Sequence, residues 1–166
     1  MSDYSKVIIF IVILIVFSGA VIYLYNTESS MNQSMPDISS SIVSGDSDYN
    51  SAVDLLNSKN YSEAKNKAIS AKNNFNRSMI QLSDIKDNFT SDTNDVHKNY
   101  INTVLNELEL KINATDYLLE AIDNFKYSKN STGNDYSSQA NELMKDALEF
   151  QNVRNNLVKE NPDLFK

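Results

Sequence analysis

The chain has 166 residues, one histidine, no cysteine and no tryptophan, and its formal net charge is -7. The lack of cysteine excludes disulfides, thiolate nucleophiles, cysteine zinc sites and a lipid-modified cysteine anchor. The excess of carboxylates argues against nucleic acid as a partner, because phosphate binding needs a basic face.

An uncharged apolar stretch lies near the N-terminus, beginning at Val7 and ending at Tyr25. A helix of its nineteen residues spans roughly 28 Å, close to the hydrocarbon thickness of a bilayer. Lys6 precedes the stretch, and no Lys or Arg follows it until Lys59. We therefore predict a single-pass signal-anchor helix that binds the lipid bilayer, with residues 1–6 in the cytoplasm and the rest of the chain outside.

The alternative is a cleaved signal peptide. The small residues at 18–20 resemble a cleavage site, and cleavage there would release a secreted helical protein. Five further apolar or aromatic residues follow at 21–25, which favours the anchor over cleavage.

Residues 26–46 have the composition of a spacer. They contain seven Ser together with Pro36 and Gly45, and few large apolar side chains. We expect a disordered, flexible linker whose ends lie roughly 25 Å apart.

From Ser47 onward, apolar residues recur at steps of three and four, the 3.5-residue period of a bundle seam. The fold class predicted is all-α, with an extracytoplasmic helical bundle over residues 47–161 and a C-terminal tail over 162–166. Short turns predict antiparallel, up-down packing, with no glycine or proline inside a helix. The bundle comprises one short helix and three long ones, at 47–58, 61–86, 92–127 and 134–159.

Charged residues of the third predicted helix are assigned to its solvated face. Glu107 and Lys111 form an i,i+4 pair worth a few tenths of a kcal/mol. His97 is expected to be solvated or half-buried, because no second ligand or nucleophile lies at helical spacing from it.

The segment 130–135 contains several oxygen ligands but lacks the final Glu of a calcium loop. Thr132 and Asp135 instead resemble a capping box for the fourth helix. The sequence contains no phosphate-binding loop, dinucleotide fingerprint or paired-ligand zinc motif. It therefore predicts no catalytic residue, no metal site, no cofactor and no enzymatic activity.

Asn-x-Ser/Thr sequons occur six times. An extracytoplasmic location makes them candidate N-glycosylation sites, and those predicted to lie in loops or the linker are favoured. These are Asn32, Asn88 and Asn130.

Four tyrosines on the third and fourth helices are candidate contact residues, because exposed aromatic side chains are typical binding hot spots. The alternative is that they pack in the core. They are Tyr100, Tyr117, Tyr127 and Tyr136.

Two resemblances accompany these patterns. The stretch 60–71, beginning NYSEA, resembles the second half of a tetratricopeptide repeat, and 135–147 echoes it about 75 residues later. Because a long helix intervenes, we interpret the pair as convergent helix packing. The short tail, single anchor and Asn- and Ser-rich helices, with the run NDVHKNYI at 94–101, are similar to small single-pass surface proteins of methanogenic archaea. That resemblance implies a location but supplies no activity and no site residue.

These features predict a surface-exposed structural or protein-interaction module of the envelope, bound to an unidentified envelope protein. The alternative is an extracytoplasmic ligand-sensing bundle that signals through a partner. The predicted flexible linker and the six-residue cytoplasmic tail argue against this alternative, because neither would transmit motion across the membrane.

Overall fold

The computed structural model describes residues 29–165, with side chains from Ser34 onward. This range is all-α without a β-strand, so the predicted fold class is confirmed there. The anchor predicted at 7–25 lies outside the described residues, and none of the helices described is long and apolar enough to span a bilayer. The four helices are α1 (Ser29–Asn57), α2 (Tyr61–Asp87), α3 (Asp95–Lys126) and α4 (Asn130–Glu160).

Each helix packs along the one before it in the chain. Lys65 on α2 pairs with Asp123 on α3 at 2.6 Å, and Lys72, seven residues further along α2, pairs with Asp116, seven residues earlier on α3. The opposite progression along the two helices means that they are antiparallel. The described residues therefore form a helical bundle in which α2 and α3 are antiparallel, as predicted for these neighbours.

The two ends of the bundle hold different segments. The turns at 58–60 and 127–129 lie at one end, which we call the far end. The start of α1, the connection at 88–94 and the residues after Glu160 lie at the opposite, near end. One residue of each far-end turn has left-handed backbone geometry, with φ of 60° at Lys59 and 59° at Ser128.

The core is built from a repeat in which steps of four and three residues alternate. This 3.5-residue period keeps one stripe of each helix against its neighbours. The buried stripe of α2 is Ala64, Ala68, Ala71, Phe75, Ser78, Leu82 and Ile85, and that of α4 is Gly133, Ser137, Ala140, Met144, Ala147, Gln151 and Arg154.

The linker predicted over 26–46 is wrong from Ser29 onward, because those residues form most of α1. The first helix is therefore long rather than short. Met35, Ile38 and Ile42 continue the three-and-four spacing and are buried. Burial of this stripe against α2 outweighs the weak helix propensity of the serines around it.

Glycine and proline also occur inside α1, contrary to the prediction, at Pro36 and Gly45. A Cβ atom on Gly45 would lie 2.5 Å from Cε1 of Phe75, so the missing side chain permits the close approach of α1 to α2. Nearby, Ser78 Oγ donates a hydrogen bond to the Ile38 carbonyl at 3.2 Å. Small side chains thus allow direct contact between the two helices.

Two predicted helix starts are displaced. α3 begins at Asp95, where the Asn94 side chain accepts a hydrogen bond from the Val96 amide at 2.8 Å. α4 begins at Asn130, so the capping box predicted at Thr132 is wrong, and residues 130–133, predicted to precede the helix, form its first turn. The left-handed residue Ser128 ends α3 and lets the chain reverse within three residues.

Gly45→Ala should destabilise the bundle by about 1–3 kcal/mol, although alanine favours helix more than glycine does, because its Cβ would collide with Phe75. Chemical denaturation measures the difference. Ser44→Ala, at the exposed neighbouring position, is the control and should change stability by less than about 0.5 kcal/mol. Adding Phe75→Leu should lessen the loss, and an unchanged or raised stability for Gly45→Ala alone would contradict the close-packing argument.

Candidate functional site

Four charged side chains meet in the interior and form what we call the buried charge cluster: Asp46, Glu107, Lys111 and Arg154. Glu107 and Lys111 are 0% exposed, and the Asp46 side chain is 19% exposed. Since two carboxylates face one ammonium and one guanidinium, the cluster is neutral overall.

Lys111 is the centre of the cluster. Its Nζ lies 2.8 Å from Glu107 Oε1 on the same helix and 2.8 Å from Asp46 Oδ1 on α1. A second hydrogen bond, from Lys111 Nζ to Asp46 Oδ2, measures 3.0 Å. The ammonium therefore joins α1 to α3 at a place where these two helices make few other contacts.

Arg154 brings α4 into the same cluster. Its Nε lies 3.0 Å from Glu107 Oε2, and its Nη2 donates to Glu107 Oε1 at 3.3 Å. The guanidinium also hydrogen-bonds the Tyr100 hydroxyl. Glu107 is thus paired with arginine through one hydrogen bond, from Nη2 to Oε1, and one close ionic contact, between Nε and Oε2.

The second helix contributes an aromatic ring. Lys111 Nζ lies 5.6 Å from the centroid of the Phe75 ring, within the range of a cation–π contact. All four helices therefore contact the cluster, and Phe75 is also the ring that occupies the space above Gly45.

Burial and pairing act in opposite directions on these groups. Burial alone would lower the pKa of Lys111, but Glu107 and Asp46 hold it above its usual value. Burial raises the pKa of Asp46 above its usual range despite the neighbouring ammonium. Lys111 thus remains charged inside the bundle, where its desolvation is offset only by close partners.

The assignment of Glu107 and Lys111 to the solvated face is therefore wrong. Along α3, one series of buried residues alternates steps of four and three without exception. It is His97, Ile101, Val104, Leu108, Lys111, Thr115, Leu118, Ile122 and Phe125. Strict use of that repeat would have placed Lys111 inside. The neighbouring Ile112 is apolar but lies one position off this repeat and is half-buried.

His97 is also buried, at 1% exposure, rather than solvated or half-buried. Its Nε2 donates to the Leu164 carbonyl at 3.1 Å. The Phe165 ring packs edge-on against the imidazole at 5.5 Å between centroids and lies 5.2 Å from the Tyr100 ring. The tail predicted at 162–166 therefore folds back onto the start of α3 as far as Phe165.

The four candidate contact tyrosines lie in three different environments. Tyr100 is buried at 3% exposure, so it is not a surface contact. Tyr117 and Tyr136 are half-buried and pack against each other between α3 and α4, with ring centroids 6.1 Å apart. Tyr127 is 68% exposed at the far end.

The favoured sequons lie at different places along the bundle. Asn88 follows the last residue of α2 at the near end and is exposed, although its side chain donates to the Asp84 carbonyl at 2.7 Å. Asn130 is the first residue of α4 at the far end and is exposed. Asn32 lies in α1, not in a disordered linker. Their glycosylation stays a prediction.

A groove of about 640 Å³ opens on the surface of α3 beside α4. Its walls combine two carboxylates with aliphatic and aromatic side chains, from Asn113, Asp116, Tyr117, Leu119, Glu120 and Leu143. Asp116 is already paired with Lys72. Among the described residues, no group of three or more His, Cys, Asp or Glu side chains is arranged to hold a metal ion.

Comparison of the chain with protein-family models, with curated proteins and with solved structures found no match.

Glu107→Gln should destabilise the bundle by about 3–5 kcal/mol, because it leaves Lys111 and Arg154 buried with one carboxylate between them. Chemical denaturation measures the loss. Glu109→Gln, at the exposed position two residues along, is the matched control and should cost less than about 0.5 kcal/mol. Equal losses in the two variants would show that Glu107 is solvated.

Tyr49→Phe should leave stability at neutral pH unchanged or raise it by about 1 kcal/mol, because the buried hydroxyl has no hydrogen bond to any described residue. Burial raises the pKa of Tyr49 well above its ordinary value. The folded state therefore disfavours the ionised form of Tyr49. This has no effect on stability below the unfolded pKa of about 10, and it lowers the stability of the bundle as the pH rises from there toward the folded pKa. Denaturation at a series of alkaline pH values should therefore show a shallower decline for the variant.

Tyr100→Phe is the control for this experiment, because it removes the same hydroxyl where Arg154 hydrogen-bonds it. That variant should lose about 1 kcal/mol or more at neutral pH. A matching loss for Tyr49→Phe would mean that its hydroxyl is satisfied.

Proposed function

We propose that the chain is a membrane-anchored helical bundle of the cell surface, a structural or interaction module of the envelope that acts by binding rather than by catalysis. One observation carries the binding part of the proposal. The groups best suited to acid–base chemistry are buried and bonded to one another.

The buried charge cluster illustrates this point. Glu107 and Lys111 have no exposed surface, and each is held within 3.0 Å of an opposite charge. A general acid or base must reach the proton that it transfers. A buried salt-bridged group cannot meet a substrate unless the helices separate, so the cluster is suited to fixing helix positions.

His97 supports the same conclusion. Its ring is enclosed by Phe165, and its Nε2 is engaged with the Leu164 carbonyl. The only histidine of the chain is thereby occupied in holding the C-terminal segment against α3.

The anchor part of the proposal rests on the sequence at 7–25, with the N-terminus in the cytoplasm and the bundle outside. Three residues separate Tyr25 from the start of α1 at Ser29. Four residue steps reach at most about 14 Å, so an anchored bundle would stand directly on the lipid headgroups. The expected 21-residue spacer is not available to hold it away.

The second candidate, a sensing bundle that signals through a partner, gains support from the same observation. The sequence argued against sensing because a flexible linker would absorb any motion. Ser29, the first described residue, already lies in α1, and Asp46 on this helix is paired with Lys111 on α3 at 2.8 Å. A ligand that displaced α3 would therefore act on the helix next to the anchor.

Carbonate extraction of membranes tests the anchor. The full chain should stay in the pellet, and Leu14→Arg/Ile15→Arg should release it, because each arginine at the centre of a bilayer helix costs about 3 kcal/mol. Leu14→Ala/Ile15→Ala is the control and should stay in the pellet. Recovery of the unaltered chain in the soluble fraction, or a mature N-terminus following Ala20, would overturn the anchor.

Protease shaving of intact cells tests the orientation. Removal of the bundle with retention of an apolar fragment would support an outward-facing bundle. Protection that persists after the cell wall is stripped would contradict it, together with the proposed glycans.

A further inference from the structure

We propose that the far end of the bundle is a docking surface for an acidic polysaccharide. This inference names the partner class of the proposed binding function. It rests on the proposed anchor only for the direction in which the far end points, and its charge argument is independent of the anchor.

The two turns at the far end contain lysine and no acidic residue, although the chain as a whole is acidic. No Asp or Glu occurs between Asp54 and Glu63, or between Asp123 and Asp135, while Lys59, Lys126 and Lys129 lie in those intervals. The two intervals approach each other because Lys65, near the start of α2, pairs with Asp123, near the end of α3. Two separate stretches of sequence therefore form one patch that contains these three lysines. Glu63 lies at its border, where its carboxylate accepts a hydrogen bond from the Asn60 side chain at 2.7 Å.

The lysines of this patch have no carboxylate partner among the described residues, unlike five of the other described lysines. Lys86, Lys145 and Lys159 are likewise exposed without an ion pair to a described residue, but they lie away from the far end and are not clustered. Lys65, Lys67, Lys72, Lys98 and Lys111 each pair with a carboxylate. Lys59, Lys126 and Lys129 are exposed and form no ion pair with any residue in the described part of the chain. A lysine near a helix C-terminus interacts favourably with the helix dipole. That interaction does not require three unpaired ammonium groups on adjacent turns.

An exposed aromatic ring lies in the same patch. Tyr127 is 68% exposed, more than any other large hydrophobic residue described, and Lys126 Nζ lies 5.9 Å from its ring centroid. A tyrosine ring offers an apolar face and a polar edge, which suits the faces and hydroxyls of a sugar ring. Asn and Ser side chains at 57–60 and 128–131 add hydrogen-bonding groups around it.

The shape of the patch favours a flexible polyanion over other acidic partners. A stable protein interface uses about 20–30 residues on each side, more than two three-residue turns provide. A bilayer is a poorer fit because α1 is about 43 Å long, so in a bundle anchored before Ser29 the far end would point away from the membrane at that distance. Charged groups repeated along a sugar chain can instead meet lysines on both turns at once.

Titration of the full chain, held in an uncharged detergent, with polygalacturonate tests the proposal. Binding is expected, and neutral dextran should not bind. Lys59→Gln/Lys126→Gln/Lys129→Gln should weaken binding about tenfold or more, and about 0.5 M salt should weaken it in the unaltered chain. Tyr127→Ala should also weaken binding, and Tyr127→Phe should restore most of it.

Lys86→Gln/Lys145→Gln/Lys159→Gln is the matched control, because it removes the same charge from exposed lysines away from the far end. It should bind within about twofold of the unaltered chain. If the two triple variants weakened binding equally, the proposal that the far-end lysines form the binding surface would be wrong. If the chain bound neither polygalacturonate nor dextran sulfate, the proposal of an acidic polysaccharide partner would be wrong.

Two further outcomes would replace the partner class. Equal affinity for poly-L-glutamate would indicate an acidic protein, and preferential binding to phosphatidylserine vesicles would indicate a lipid surface. The titration uses the purified chain, so its failure would not affect the conclusion from carbonate extraction of membranes. Equally, a chain found to be soluble or cleaved could still be titrated. Thermal unfolding of both triple variants separates a lost docking surface from a destabilised bundle.

Discussion

The rest of the bundle depends on the burial of one ammonium group. Lys111 occupies a core position in the repeat of α3, so desolvation would expel or neutralise it unless carboxylates were close. Glu107 and Asp46 supply them, and Arg154 balances the second carboxylate. A shift of α1 or α4 by one turn would leave a charge without its partner. The cluster therefore acts against alternative registers that small, repetitive Ala and Ser stripes would otherwise tolerate.

Local sequence patterns predicted three of the four helices but not most of the first. For α2, the spacing of Ala64, Phe75 and Leu82 located the helix to within a residue at its C-terminal end. For α1, serine, proline and glycine indicated a spacer, whereas Met35, Ile38 and Ile42 had the same three-and-four spacing. Composition reports what an isolated segment prefers. The helix is stabilised by burial against α2, which no property of the segment alone reveals.

The buried charge cluster and the lysines of the far end were harder to predict, because both arise between helices. The repeat in α3 could have placed Lys111 and His97 inside, but nothing in the sequence relates Lys111 to Asp46, 65 residues away. The same is true of the lysines at the far end. Lys59 and Lys126 belong to separate turns, and they share a surface only because α2 runs back along α3. Topology, rather than motif, creates both features.

The antiparallel arrangement also determines how the molecule would bear mechanical load. The start of α1 and the segment around Phe165 lie at the same end. A pull applied between these two places would peel the outer helices apart one contact at a time. A pull between Ser29 and the turn at 127–129 would instead load the contacts of α2 with its neighbours in shear along about 43 Å, so that many contacts would have to break together. Tethered at one end and held at the other, such a bundle would serve as a stiff strut.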